Sequence, residues 1–336
     1  WYELTREDLP EYGPDEPKEW AAWARKSAVQ IDDWRKHYGK RTDADKFEAD
    51  DEYVLLRYSL NRVGRMTGEW ICDRTDSERN GPGVLLAKVW PGEEAERVLF
   101  RGIPHVVLMS ATLRPRSLEL LGIPPADFHF AEFPHPFPWS IRPVYWVPTI
   151  RALQRTATED HWRFWSTRID QLIDRGTAGR GMVHCVSYDR CRMFLGQSRH
   201  RGERGLLWTH TSRNLPKVLE DFKTAAPPVV LVSPSIISGF DLPQVSYQVI
   251  GKVPFVAGDK LHKAREATDP TWQWYGLGQT IVQQAGRIAR SGDGPAKPTF
   301  IIDDSISWVM PKCRGLIPEW FRIEKTERIP DWGGAE

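Results

Sequence analysis

The sequence predicts an α/β fold: a parallel sheet with helices on both faces, preceded by a helical and β-hairpin N-terminal region. Three observations carry this. From about residue 100 onward, apolar runs alternate with stretches of helical spacing, the pattern of strand–helix repeats. The runs are continuous rather than alternating, which suits strands buried on both faces. Polar, glycine or charged tips follow the runs, where the ligand-binding loops of such sheets gather.

The elements follow in order. Residues 1–50 read as a helical segment behind a Pro-rich lead, because Trp20, Trp23, Ala28, Ile31 and Trp34 recur at helical spacing. Residues 51–122 read as β-rich: Tyr53–Leu56, Trp70–Cys72 and Val84–Val89 are short β-like runs between polar turns. Val106–Met109 is the strand run that leads this segment into Ser110-Ala111-Thr112. Within residues 123–325 the strand runs are Met182–Val186, Leu206–Trp208, Val229–Val232, Tyr247–Ile250 and Phe300–Ile302. Helices are predicted near 159–174, 189–199, 213–224 and 276–290, and residues 326–336 form a tail.

Composition sets limits. The chain has 336 residues, 46 basic and 45 acidic, for a net charge of +1. Global charge therefore gives no signal for a polyanionic partner; any such signal is local. Basic runs occur at Arg199-His200-Arg201 and Lys260-Leu261-His262-Lys263. Cysteines at 72, 185, 191 and 313 lack zinc or iron–sulfur spacing, which predicts unlinked thiols and a cytoplasmic setting. No apolar run approaches the ~18 residues of a membrane span. Sixteen tryptophans are present; Trp162 with Trp165, and Trp272 with Trp274 and Tyr275, are candidate base-stacking groups.

The most informative stretch is Gln283-Gln284-Ala285-Gly286-Arg287-Ile288-Ala289-Arg290. On a continuous helix, Gln283, Gly286, Arg287 and Arg290 share one face, while Ile281, Ala285, Ile288 and Ala289 anchor the other. Arginine is permanently charged and suited to phosphate oxygens. A glycine inside a helix costs about 1 kcal/mol against alanine, which predicts close approach by another group at Gly286. The pair reads as a phosphate sensor or arginine finger; the plainer alternative is a solvated charged face.

Taken in chain order, the strand tips resemble the motifs of the C-terminal motor region of a superfamily 2 DNA helicase of the DinG/XPD-like branch. Ser110-Ala111-Thr112-Leu113 resembles motif III. Met182–Tyr188, with its Ser187-Tyr188, resembles motif IV. Ser238-Gly239-Phe240-Asp241 resembles motif V, and Gln283-x-x-Gly286-Arg287-x-x-Arg290 resembles motif VI. Phe133–Pro138 resembles the Ser-Pro-Phe-Pro element of that branch, with His135 in place of Ser, and Gly251–Phe255 resembles its Gly-x-Pro-Phe. The likeness runs over about residues 84–310; residues 1–50 correspond to the end of an Arch-like insertion.

The resemblance implies a RecA-like domain over 123–325 and a composite site for ATP with Mg²⁺. Arg287 and Arg290 would be the fingers and Gln283 a phosphate- or water-orienting group. Gly239, Asp241 and Gly286 would approach the nucleotide, and Ser110 and Thr112 would couple hydrolysis to closure. Ser187, Tyr188, Ser233 and Ser235 would contact single-stranded DNA. No Gly-x-x-x-x-Gly-Lys-Ser/Thr, Asp-Glu-x-His or iron–sulfur cysteine set is present. The expectation is therefore that an N-terminal helicase domain, on the same chain or another subunit, supplies the phosphate cradle and the Mg²⁺ ligands, and that this segment alone is inactive. The alternative is a non-catalytic nucleic-acid-binding module that keeps the helicase fold.

Overall fold

The structure, a computed structural model, describes residues 16–38, 43–67, 69–77, 81–151, 157–176, 179–234, 242, 244–256, 258–289 and 291–332. Its main elements run α1 (Pro17–Tyr38), α2 (Asp43–Gly64), β1 (Trp70–Ser77), β2 (Gly81–Lys88), β3 (Val144–Ile150), α3 (Glu159–Arg175), β4 (Arg180–His184) and α4 (Tyr188–Gln197). There follow β5 (Leu207–Trp208), α5 (Leu215–Thr224), β6 (Val229–Ser233), β7 (Val245–Ile250), α6 (Lys260–Thr268), α7 (Trp272–Ala285), β8 (Thr299–Asp303), α8 (Ile306–Cys313) and β9 (Glu324–Lys325). They fall into two compact units. One comprises Trp1–Val106, Leu118–Pro124 and Ala257–Trp272; the other comprises Val107–Ser117, Pro125–Val256 and Gln273–Glu336.

In the first unit, α1 buries Trp20, Ala21, Ala24, Ala28 and Ile31, one stripe at helical spacing. The stripe packs on Leu60 of α2, on Met66 just beyond that helix and on Cys72 of β1. The Asp32 carboxylate accepts from the Tyr53 hydroxyl at 2.7 Å and from Arg57 Nε at 2.9 Å, joining the two helices. Strands β1 and β2 pair antiparallel from Trp70↔Lys88 to Ser77↔Gly81, the hairpin expected there. Helix α6 belongs to this unit: Arg265 Nε donates to the Val89 carbonyl at 2.8 Å, with its guanidinium 5.5 and 5.2 Å from the rings of Trp90 and Trp272.

One expectation is corrected here. Tyr53–Leu56 is not a β-run but part of α2. Tyr53, Leu56, Leu60 and Val63, spaced three to four residues apart, all pack in the helical core. A short apolar run fits either period, and the longer spacing decides.

In the second unit, seven strands among the described residues form one sheet in the order β5-β6-β4-β7-β8-β3-β9, with every pairing parallel. Helices α3 and α4 cover one face through Trp165, Ile169, Leu172, Cys191 and Phe194. The opposite face carries α7 and α8 through Leu277, Ile281, Ile306 and Val309, and α5 through Leu219 and Phe222. This is the α/β architecture that the alternation of runs predicted, and the RecA-like one that the resemblance implied.

Two strands were not anticipated. Pro148 interrupts β3, and the register with β8 shifts between Trp146 and Ile150 around it, since proline has no N–H for the ladder. β9 is two residues long and exposed. A second correction concerns Val106–Met109, which forms no strand; Val107 and Met109 are 82% and 88% exposed. An apolar run becomes a strand only where an edge can pair with it, and no described strand does.

Candidate functional site

The strand register sets out the rim of the second unit. His184 pairs with Ser233 on one side and Ile250 on the other, and Ile250 pairs with Ile301. The carboxyl ends of β6, β4, β7 and β8 therefore lie in a row. After β4 the chain turns through Val186 at φ 66°, a left-handed conformation that costs a β-branched residue about 1–3 kcal/mol. That turn delivers Ser187 as the N-cap of α4, its hydroxyl accepting from the Arg190 N–H at 3.3 Å.

Tyr188 follows, 40% exposed, its ring edge-on to His210 at 6.4 Å. His210, just past β5, is buried, with Nε2 2.7 Å from the Ser233 hydroxyl. Sequence reasoning missed His210, because nothing in its local pattern points to a residue over twenty positions away. The same bond corrects the expectation for Ser233: it is wholly buried and its hydroxyl is directed inward, so it does not present a surface contact. Of the other expected nucleic-acid contacts, Ser187 is a helix cap and Ser235 lies outside the described residues.

At the tip of β7 the Gly251 N–H donates to the His184 carbonyl at 2.9 Å, and its own carbonyl accepts from Trp165 Nε1 at 2.9 Å. A Cβ here would stand 2.8 Å from the Trp165 ring, so glycine is required by this approach. At the tip of β8 the buried Asp303 carboxylate accepts from the Val253 N–H at 2.8 Å and the Ser305 N–H at 2.9 Å. Burial, with Arg190 beside it, pushes the Lys252 ammonium below its usual range. Burial likewise pushes the Cys313 thiol up to about 11, and all four cysteines are unlinked and buried.

The motif VI segment differs from expectation. Helix α7 ends at Ala285; Gly286 and Arg287 form a turn, and Arg290 lies outside the described residues. Gln283, Gly286 and Arg287 therefore do not share one continuous helical face. The cause is a buried cap. Gln248 Nε2, from the middle of β7, reaches the Gln284 carbonyl at 2.9 Å, the Ala285 carbonyl at 3.2 Å and Thr299 Oγ1 at 2.8 Å. Its Oε1 is 3.1 Å from His184 Nε2. These bonds satisfy the last helical carbonyls from within the sheet.

Beyond the cap, Ile288 enters the core beside Met182 and Leu219, and Arg287 is 7% exposed. A Cβ at Gly286 would meet only carbonyls of its own preceding turn, at 3.4 and 3.9 Å. The predicted close approach by another group is not found among the described residues. Gly239 and Asp241 lie outside them.

The motif III segment is seated on α7. Gln283 Nε2 donates to Thr112 Oγ1 at 3.3 Å, the Thr112 N–H donates to the Ser110 hydroxyl at 3.3 Å, and the Ser117 and Tyr275 hydroxyls bond to each other. Three of the expected site residues, Ser110, Thr112 and Gln283, thus meet in one cluster. In the Ser-Pro-Phe-Pro-like loop, His135 Nδ1 accepts from the Phe137 N–H at 3.0 Å, and burial with nearby Arg142 holds its pKa down. Among the described residues, no group of three or more His, Cys, Asp and Glu side chains could hold a metal ion, and no helix is long and apolar enough to cross a membrane.

No protein-family model and no curated protein matches the chain. Solved structures do match. Apo XPD aligns with 90% of this chain and 61% of its own, at TM-score 0.54 and 13% identity. An XPD helicase structure aligns with the same 90%, over 56% of its own length, also at 0.54 and 13%. S. cerevisiae Dbp5 bound to RNA and ADP BeF3 aligns over 63% of this chain and 47% of its own, at 0.42 and 13%. The chain thus spans about half to three-fifths of these relatives' lengths. The shared feature is the fold alone.

Proposed function

We propose that this chain is the C-terminal part of an ATP-dependent DNA helicase of the DinG/XPD-like branch. Residues 123–325 act as its second RecA-like domain. The observation that carries the reading is the Gln283–Thr112 hydrogen bond. It joins the tip of the motif III-like segment to the start of the motif VI-like one, two stretches 171 residues apart in sequence. Such a joint lets the state of a nucleotide site be felt in the adjoining backbone.

In this reading an N-terminal domain carrying the phosphate-cradling loop and the Mg²⁺ ligands completes the site. ATP, bound there, supplies the phosphoanhydride whose cleavage powers movement. Gln283 orients the terminal phosphate or attacking water by hydrogen bonds. Arg287 and Arg290 neutralise charge that develops on the transferred group, an effect worth about 10³–10⁵ in rate, with Arg290 the finger. Gly239, Gly286 and Asp241 would approach the nucleotide, and Ser110 and Thr112 would transmit closure. Single-stranded DNA crosses the carboxyl rim beside Ser187 and Tyr188. A cytoplasmic setting fits the unlinked thiols.

One observation favours a second reading, a non-catalytic nucleic-acid-binding module with a helicase fold: Arg287 is almost fully buried. Joining the chain to a domain with Walker A and B sequences and measuring DNA-stimulated ATP hydrolysis separates the two. The helicase reading expects Arg290→Ala to lose hydrolysis by at least 10³-fold while nucleotide binding persists. Hydrolysis that survives the substitution removes the finger assignment.

A further inference from the structure

The basic runs seen in the sequence are engaged with neighbours. Arg199 and His200 pair with Asp174, and His200 also with Glu203. Lys260 donates to the Cys72 carbonyl and His262 pairs with Glu266. Two other arginines, both in the second unit, are placed differently. They stand at the amino end of its sheet, where the chain turns just before β3 and Val144 pairs with Thr299, the first residue of β8. This end lies away from the row of carboxyl tips.

Two turning segments interlock here. In one, the Ile141 N–H donates to the Pro138 carbonyl at 3.2 Å and the Arg142 N–H to the Trp139 carbonyl at 3.1 Å. In the other, the Phe321 N–H donates to the Pro318 carbonyl at 3.1 Å. Each segment lends a tryptophan to the other's arginine. The Arg142 guanidinium stands 4.7 Å from the Trp320 ring centroid, and that of Arg322 stands 4.4 Å from the Trp139 centroid. Ring contact offsets part of the cost of a desolvated guanidinium but supplies no hydrogen-bond acceptor. Arg142 is 7% exposed, and its side chain makes one hydrogen bond among the described residues, from Nε to the Phe137 carbonyl at 3.2 Å. Neither arginine pairs with a carboxylate among the described residues. The Trp139 Nε1–H is buried and has no acceptor among them either. His135 packs on the same Trp320 ring at 4.6 Å, but its Nδ1 is taken by the Phe137 N–H. Buried donors thus gather without an acceptor, a condition that folded proteins rarely keep.

We propose that Arg142, Arg322 and the Trp139 indole N–H form a binding site for a small phosphate-class oxyanion, free or as a phosphate monoester. The inference goes beyond the function proposed above and does not depend on it. Guanidinium N–H groups match phosphate oxygens in geometry and charge, and an indole N–H can only donate. Three donor groups on two crossing segments suit a tetrahedral oxyanion, which presents oxygens in several directions, better than a planar carboxylate. Arg322 is exposed and gives the ion a way in from solvent. Burial first, and then Arg322, holds the Arg142 guanidinium below its usual range; an anion beside it favours the charged form again.

The test is calorimetric titration of inorganic phosphate into the 336-residue chain, with chloride holding the ionic strength constant. Saturable binding at one site is expected. Arg322→Gln, at an exposed position, should weaken it about tenfold, the loss of one charge-assisted hydrogen bond. Trp139→Phe keeps a ring under Arg322 and removes only the donor, so it should weaken binding about threefold. Arg142→Lys keeps the charge but loses the planar fork and should weaken binding too, with its melting temperature checked in parallel. Lys223→Gln, on α5 and paired with Glu220, should bind as the wild type does. Glycerol 3-phosphate separates the two sources: tighter binding than phosphate assigns the monoester, and equal or weaker binding assigns the free ion. Affinity unchanged in both Arg322→Gln and Trp139→Phe overturns the site, as does a wild-type chain that takes up no phosphate. Acetate that binds as tightly as phosphate overturns the tetrahedral class in favour of a carboxylate site.

Discussion

A single amide in the middle of β7 fixes where α7 stops. Gln248 bonds the carbonyls of Gln284 and Ala285 and lies against His184 and Thr299, all in the sheet interior. Replacing it with leucine strips the amide from both carbonyls, which keep, among the described residues, only the Arg287 N–H on Gln284 and Thr299 Oγ1 on Ala285, each at 3.3 Å; a net hydrogen bond contributes about 0.5–1.5 kcal/mol. Gln248→Leu should therefore lower unfolding stability by about 1–3 kcal/mol in chemical denaturation; a loss under about 0.5 kcal/mol would refute the cap. A second prediction concerns Gln283 and Thr112. In a double-mutant cycle, Gln283→Ala and Thr112→Val should show a coupling of about 0.5–1 kcal/mol, and additivity would mean that their bond carries nothing. Gln283 and Thr112 stood out in the sequence because motif spacing marked them. Gln248 and His210 did not, since one sits inside an apolar strand run and the other just past one, and their partners lie on other elements.

The α1–α2 pair shows how element-scale reading succeeds and fails. The apolar stripe of α1 was visible at its spacing, while Tyr53–Leu56 was misread because the window was shorter than one helical turn and its neighbours. Likewise, helical periodicity through residue 290 could not reveal that a glutamine from another strand terminates α7 at Ala285. At this scale Asp32 gives a pH prediction. Hydrogen bonds from Tyr53 and then Arg57 hold its carboxyl below the usual range. A carboxyl depressed in the folded state stabilises fully above its unfolded value of about 3.9 and loses that contribution as pH falls through the folded value. The wild type should thus melt above Asp32→Asn near neutrality, by about 0.5–1 kcal/mol for a partly exposed pair. The gap should close in strong acid; a gap independent of pH would contradict the assignment.

For the whole molecule, the parallel sheet with helices on both faces was legible because buried strands leave unmistakable apolar runs. The exception, Val106–Met109, shows the limit of that rule: strand character depends on an available edge, which a one-dimensional pattern does not contain. The functional reading joins this sheet to a Gln283–Thr112 joint, and it assigns the phosphate cradle to a partner domain. The most direct measurement is ATP turnover by the 336-residue chain, first alone and then with a Walker-containing domain supplied. The account predicts no turnover above background alone, and DNA-stimulated turnover that depends on Arg290 once the domain is added. Brisk hydrolysis by the isolated chain would contradict it.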